Sequence, residues 1–403
     1  MISKLFLVTA SYYPDGVGGA ERQAKILAEA LGLKGIDVTL VTPSIDRSSP
    51  AVEETVFGRI ERFHARAYPN AGGRYIATFV QWGFWFWRRY RRRITPETPV
   101  YVFHARLHAF APILTARAAR AVTAIKLGGG GEASDFAALR AKRYFYGTWI
   151  QTYLIRRCGR FVANSQQIEK DLRELGVAET KIAAFPNGVV IPPGTTDGLA
   201  TSHRQGNVFV FAGRLVPDKR LEVLYEAAKQ LCEAGRELRL ILLGTGPEGK
   251  RLKQRAERDG LGCNIRFPGF HDDVYPVFAG ADFYVSASGR EGQSNALLEA
   301  MSAGLIPVVF GASGATDVVC DGETGFLVHA SDPCSFARAM ETALALSDVQ
   351  KRAMSKAARR FAESHIGIDA IAQQTLEVFE AMLRDADRPR ISSRINSGGS
   401  AHA

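Results

Sequence analysis

Residues 290–304 read REGQSNALLEAMSAG and set Glu291 and Glu299 eight positions apart around an expected helix start. The apolar run before them, 281–288, reads as a buried strand, and 296–303 reads as a helix. Glu291 then falls on the connecting loop and Glu299 one turn into the helix. Ser294 is the expected N-cap, leaving the amides of Asn295, Ala296 and Leu297 to face an anion. Two carboxylates flanking a phosphate-sized nest suit a ligand that is anionic and rich in hydroxyls, such as a sugar nucleotide. Taken alone, the pair reads more simply as a first-turn acid favoured by the helix dipole and a solvated loop charge. The surroundings reverse that weighting.

Outward from this stretch, short apolar runs alternate with helical patterns twice over. Strands are expected at 4–9, 36–42, 99–103, 121–127, 160–163 and 182–185, then at 207–212, 238–243, 264–267, 282–285, 306–309 and 326–328. Such alternation predicts an α/β chain with two parallel sheets, each covered by helices on both faces. Residues 192–206, PPGTTDGLATSHRQG, read as a linker between a first domain at 1–191 and a second at 207–366. The pattern at 367–385 is an amphipathic helix, and 387–403 is polar, Gly/Ser-rich and expected to be disordered. Two doubly wound domains in tandem place a cleft between the carboxyl ends of two sheets.

The length of 403 residues fits two such domains. A formal charge of +10 favours an acidic partner, whether membrane surface, nucleic acid or phosphorylated substrate. Five scattered cysteines without a C-x-x-C argue against a metal cluster or disulfide framework. The first residues run straight into a strand pattern, and no apolar run reaches the ~18–20 residues of a spanning helix. A cytoplasmic protein is expected.

After the first strand of the second half, AGRLVPDKR at 212–220 sets Arg214 and Lys219 five apart. A fork and a point charge at a strand's carboxyl end suit a diphosphate; a solvated basic turn is the equal alternative. LLGTGPEG at 242–249 brings Gly244 and Gly246 to the end of another strand, and PGF at 268–270 offers Gly269 and Phe270 to a flat base. In the first half, PDGVGGAER at 14–22 opens a helix through Gly18 and Gly19 without the G-x-G-x-x-G register of a dinucleotide fold. KLGGGGEASDF, 126–136, reads either as a mobile loop at the cleft edge or as a flexible connection.

Together these motifs resemble glycosyltransferase family 4, the retaining group 1 enzymes of the GT-B fold. The resemblance runs from about Lys4 to Arg384 and rests on Pro14, Gly18, Gly19 and Glu21, FPNGV at 185–189, GRLVPDK at 213–219, GTGP at 244–247, the Glu291–Glu299 pair, AGLIPVV at 303–309 and DGETGFLV at 321–328. It implies that Arg214 and Lys219 bind a donor diphosphate and stabilise the leaving group. It further implies that Glu291 holds donor-sugar hydroxyls, Glu299 the ribose, and the backbone of Gly292, Gln293, Ser294, Asn295 and Ala296 the phosphates and sugar. No cofactor and no divalent metal are expected, because Arg214, Lys219 and a helix end supply the charge. The first domain is then the acceptor side, the second the nucleotide-sugar side, and the helix at 367–385 crosses back onto the first. One departure stands out. Many relatives carry a His where the first-domain strand enters its glycine loop; here the strand ends AIKLGGGG, with Lys126 nearby. Lys126 or the loop amides of Gly128 and Gly129, with Asp135 beyond them, are the candidates for that place. His104 lies one strand earlier and reads as a packed or surface histidine, with cleft-lining as the alternative.

Residues 74–93, RYIATFVQWGFWFWRRYRRR, combine an aromatic band with terminal arginines. Tyr75, Phe79, Trp82 and Phe86 share one helical face. Two readings stand side by side: an interfacial helix on anionic lipid, with Trp82, Trp85, Arg91, Arg92 and Arg93 facing the membrane, or a helix packed on the first sheet. On the first, the acceptor is a lipid-linked saccharide of cell-surface or exopolysaccharide synthesis; nucleic acid is the poorer partner. The rival activities are a nucleotide-sugar epimerase, a non-catalytic sugar-nucleotide-binding partner, and a dehydrogenase disfavoured by the incomplete fingerprint.

Overall fold

All twelve expected strands form in the computed structural model, which describes residues 2–16, 18–71, 73–130, 134–142, 146–193, 207–289, 292–312 and 314–387. Most of the expected linker and nearly all of the expected disordered tail lie outside those residues. The first half holds β1 (Lys4–Val8), β2 (Asp37–Ser44), β3 (Val52–Thr55), β4 (Gly58–His64), β5 (Val100–Phe103), β6 (Thr123–Lys126), β7 (Arg160–Ala163) and β8 (Ile182–Ala184). The second holds β9 (Val208–Ala212), β10 (Arg239–Leu243), β11 (Ile265–Gly269), β12 (Phe283–Ser286), β13 (Ile306–Phe310) and β14 (Phe326–Val328). The helices of the first half are α1 (Gly19–Leu33), α2 (Ile76–Tyr90), α3 (Phe110–Ala118), α4 (Asp135–Arg140), α5 (Tyr146–Arg157) and α6 (Gln166–Glu174). Those of the second are α7 (Leu221–Glu233), α8 (Pro247–Arg258), α9 (Tyr275–Ala279), α10 (Asn295–Ser302), α11 (Pro333–Leu344), α12 (Asp348–Phe361) and α13 (Ile368–Asp387).

Among the described residues the first sheet runs β3-β4-β2-β1-β5-β6-β7-β8 and the second β11-β10-β9-β12-β13-β14. Strand order reverses beside β1 in one and beside β9 in the other. A doubly wound sheet opens a crevice at its carboxyl edge where the order reverses, because the flanking crossover helices leave on opposite faces. The loops after β1, β5 and β6 therefore bound one crevice, and those after β9, β10 and β12 the other.

The β3–β4 hairpin is not among the expected strands. It is antiparallel, and β4 reads GRIERFH, whose charges hide its alternation. Glu61 and Arg62 are nonetheless buried, because each is paired. Glu61 accepts from Arg89 Nε at 2.5 Å, Tyr90 Oη at 2.7 Å and Arg93 Nη1 at 2.9 Å. Burial alone would raise its pKa; the two arginines and the tyrosine outweigh that and bring it down to about 2.

The same contacts fix the rotation of α2. Trp82, Phe86 and Tyr90 face the core, and Trp82 Nε1 donates to the His108 carbonyl at 2.9 Å. Trp82 is thus a core residue and not membrane-facing. Trp85 is half-buried with its ring 5.3 Å from Phe63, and Arg93 is tied to Glu61, so neither presents a free outer surface. Arg91 and Arg92 do remain exposed.

The chain crosses between the halves twice, side by side. Val189 N donates to Ile366 O at 2.8 Å and Ile368 N to Val189 O at 2.9 Å. A Cβ on Gly188 would stand 2.4 Å from Ile368 Cδ1, so a side chain there would push the Ile368 side chain aside where the two crossings meet. Helix α13 then packs on α1 and enters the first core through Ile371, Ala372, Phe379 and Met382, with Phe379 edge-on to Tyr101 at 5.6 Å. Phe379→Ala is expected to destabilise this half by about 3–5 kcal/mol, read as a fall in the urea midpoint. A loss below about 1 kcal/mol would mean that α13 is not keyed into the first core.

Candidate active site

The two carboxyl edges enclose a cavity of about 960 Å³. Arg214 and Lys219 line it from the loop after β9, Gly244 and Gly246 from the loop after β10, and Phe270 from the end of β11. Gly292, Gln293, Ser294, Asn295, Ala296 and Glu299 come from the start of α10, and Gly18 and Gly19 from the start of α1. His104, Lys126, Gly128 and Gly129 form the first-domain wall. Two expected residues are not on its surface. Gly269 lies behind it, its carbonyl accepting from Gly244 N at 2.8 Å, and Asp135 is buried beneath His104. Glu291 lies outside the described residues.

Lys219 is half-buried on a short turn, Pro217–Lys219, that carries it toward the cleft. Burial, then the charge of Arg214, bring its pKa down to about 8. An anion placed beside Lys219 would relieve both costs. Gly244 and Gly246 stand at positive φ of 136° and 152°, and a Cβ on Gly244 would meet the Gly213 carbonyl at 1.9 Å. The two loops interlock only because both side chains are absent.

Ser294 caps α10 as expected, but its Oγ accepts from Leu297 N at 3.4 Å. That amide is therefore taken, and the free donors at the helix start reduce to Asn295 and Ala296. Asn295 is also a tie: its Nδ2 donates to Gly19 O at 2.9 Å and its Oδ1 accepts from Asn187 Nδ2 at 2.9 Å. Asn187 N in turn donates to Gln293 Oε1 at 2.5 Å. Glu299 is buried against the cleft wall and pairs with Arg22 Nε of α1 at 2.9 Å. Burial raises its pKa to about 7, against the pull of Arg22, with Asp273 adding to the rise. Arg22 was not anticipated, although its place directly after Glu21 in the opening motif was the available signal.

The first-domain wall corrects the reading of His104 as a packed or surface residue. It stands at φ 72°, a strained value for a side-chain-bearing residue, and lines the cavity. Its Nδ1 lies 2.9 Å from Asp135 Oδ1, and Asp135 also accepts from Arg106 Nε at 2.9 Å and Gly128 N at 3.1 Å. Burial would raise the Asp135 pKa, but His104 and Arg106 together hold it well below the usual carboxylate range. A Cβ on Gly128 would sit 1.9 Å from His104 Cε1, so the glycine loop leaves room for the imidazole. Lys126 is buried at the end of β6, and desolvation lowers its pKa to about 7. His104 from the end of β5 and Lys126 from the end of β6 thus both line the first-domain wall. His108 is a structural residue: buried, with Nε2 on the Phe103 carbonyl at 2.9 Å and its pKa pushed down to about 3 by burial.

Two facing doubly wound domains of this kind are the GT-B architecture. The crystal structure of Anabaena Alr3699/HepE in complex with UDP superposes at TM-score 0.72 and 20% identity, over 94% of this chain and 100% of that one. The profile of Glycosyltransferase Family 4 matches residues 17–191, and that of Glycosyl transferases group 1 matches 179–361. The D-inositol 3-phosphate glycosyltransferase of Streptomyces scabiei is 30% identical over 260 residues, 60% of this chain and 58% of that protein. The UDP-Gal:alpha-D-GlcNAc-diphosphoundecaprenol alpha-1,3-galactosyltransferase of Escherichia coli is 28% identical over 204 residues, 48% of this chain and 53% of that one. The chain therefore spans little more than half the length of these two relatives. It belongs to the group 1 glycosyltransferases of family 4.

On the roles the resemblance implies, two titrations would bracket donor binding. Glu299 accepts ribose hydroxyls most strongly when ionised, above about 7, and Lys219 holds phosphate as an ammonium, below about 8. Affinity for a nucleoside diphosphate, measured by calorimetry against pH, is expected to peak between those values. Arg22→Ala should move the acid limb to higher pH and leave the alkaline limb in place; Lys219→Ala should remove the alkaline limb. A wild-type profile without either limb contradicts both assignments.

Proposed function

We propose that this chain moves a sugar from a nucleoside diphosphate to a hydroxyl acceptor with retention at the anomeric carbon. The observation that carries the reading is convergence: Arg214, Lys219, the start of α10 and Glu299 line one cavity at the facing sheet edges. In this reading Arg214 and Lys219 hold the diphosphate and stabilise the charge that grows on it as the anomeric C–O bond breaks. Glu299, oriented by Arg22, takes the ribose, and Glu291, eight residues earlier, positions hydroxyls of the sugar. The acceptor oxygen attacks on the face the phosphate leaves, and its proton passes to the departing phosphate oxygen. No carboxylate need form a covalent glycosyl-enzyme, unlike in the retaining hydrolases. The two cations and the helix start supply the positive charge this step needs, so no metal or cofactor is called for.

For the acceptor, we read the first-domain wall around His104 and Lys126 as the hydroxyl-binding side. A lipid-linked saccharide fits best, in keeping with the diphosphoundecaprenol named for the E. coli relative. On this reading the protein works at the inner face of a membrane; among the described residues no helix is long and apolar enough to span one.

The test is incubation of the purified chain with a panel of nucleoside-diphosphate sugars and lipid-linked acceptors, the products resolved by mass and anomeric configuration. Transfer with retention is expected, and Lys219→Ala should lower turnover about a hundredfold to a thousandfold with the fold unchanged. Donor conversion without acceptor would replace this reading with an epimerase, and wild-type turnover in Lys219→Ala would overturn the role given to that residue.

A further inference from the structure

Helices α2, α3 and α5 form one layer over the first sheet, α2 packing on α3 and α3 on α5. None of the three contains an Asp or Glu. Their inner faces fill the core; the outer face of α2 is apolar where a solvated helix is normally polar, and α3 and α5 add exposed Leu114 and Trp149 beside Thr148 and Thr152. Ile76, Val80, Phe84 and Trp87, spaced four, four and three apart, make a stripe along α2 on the side opposite Trp82, with Val80 62% and Phe84 63% exposed. On α5, Trp149 is 59% exposed. Ring contacts of Phe79 with Phe110 at 6.0 Å and of Phe110 with Trp149 at 5.3 Å join the three helices into one aromatic surface.

Charge completes the pattern. Arg88, Arg91 and Arg92 are exposed at the end of α2, Arg117 near the end of α3, and Arg156 and Arg157 at the end of α5. Arg91 lies over the Trp87 ring at 4.7 Å, so cation and aromatic share one surface. Arg89 and Arg93, by contrast, are tied to the single carboxylate of Glu61. Each helix follows the carboxyl end of a strand and runs away from the cleft. The α2 stripe starts at Ile76 and reaches the arginines about 20 Å away, at ~1.5 Å per residue.

We propose that this acid-free three-helix face rests on an anionic bilayer, with Phe84, Trp87 and Trp149 in the interface and the arginines on lipid phosphates. The occupant follows from the combination. Exposed Ile76, Val80 and Phe84 offer nothing to the phosphates of a nucleic acid, whose binding is dominated by charge. A second copy meeting this face about a two-fold axis would bring like charges together. A bilayer surface takes both components, apolar groups below the headgroups and guanidinium groups among them. The surface extends the lipid-linked acceptor reading but is tested apart from it, because lipid binding needs no donor.

The full chain would be sedimented with vesicles of phosphatidylcholine alone or phosphatidylcholine with phosphatidylglycerol. Binding is expected only with phosphatidylglycerol, and the triple variant Arg88→Glu, Arg91→Glu, Arg92→Glu should weaken it about tenfold or more. Phe84→Ser with Trp87→Ser, which leaves charge unchanged, should weaken it as well. Lys250→Glu, Lys253→Glu, Arg258→Glu makes the same charge change on the exposed side of α8 in the other half and should leave binding intact. A thermal shift with UDP reports that each variant is folded. Failure of the wild-type chain to bind, equal loss in the α8 variant, or unchanged binding in both α2 variants would overturn the proposal. Capture of an oligonucleotide in place of vesicles would overturn it too.

Discussion

Glu299 of the second half and Arg22 of the first meet across the cleft at 2.9 Å, and the spatial logic of the molecule depends on that junction. A buried carboxylate with a single cation for a partner is costly to hold, because desolvation offsets most of the Coulombic gain. Neutral amides share the task. Asn295 bonds Gly19, Asn187 bonds Asn295 and Gln293, and Gln23 bonds the Gly188 backbone beside the double crossing. These contacts face the two carboxyl edges toward each other at close range, which is what turns two ordinary crevices into one cavity.

On the role proposed for Glu299, a donor whose ribose engages it shares that carboxylate with Arg22, so nucleotide binding would draw on the same group that joins the halves. The strained His104 fits the same scheme. Asp135 gathers its imidazole, the Arg106 guanidinium and two backbone amides into one buried node, and the glycine at 128 gives the ring its space. Backbone strain at one residue is sustained because several hydrogen bonds over-determine its position.

Much of this was legible in the chain. Strand positions were, because buried parallel strands are short runs of apolar residues set between helical patterns, and their carboxyl ends then located Arg214, Lys219, Gly244 and the start of α10. The β3–β4 hairpin was not, because Glu61 is paired with Arg89 and Arg93 on a distant helix and Arg62 with Glu53 across the hairpin, and paired burial leaves no mark in the apolar pattern. Helix α2 shows the same limit. Its composition announced an aromatic and basic element, but only the Trp82–His108 bond and the Glu61 cluster determine which aromatics turn inward. Arg22 was hidden, and His104 was left between a packed and a cleft-lining reading, for a further reason: their significance comes from a partner on another element, Glu299 in one case and Asp135 in the other. Glu291 is named by its spacing alone, since it falls outside the described residues.

The most direct measurement of the central claim is a crystal structure of the chain with a nucleoside diphosphate bound. The account predicts diphosphate oxygens within about 3 Å of Arg214, Lys219 and the first amides of α10, with ribose hydroxyls on Glu299. A diphosphate held elsewhere, with Glu299 still closed on Arg22 alone, would contradict it.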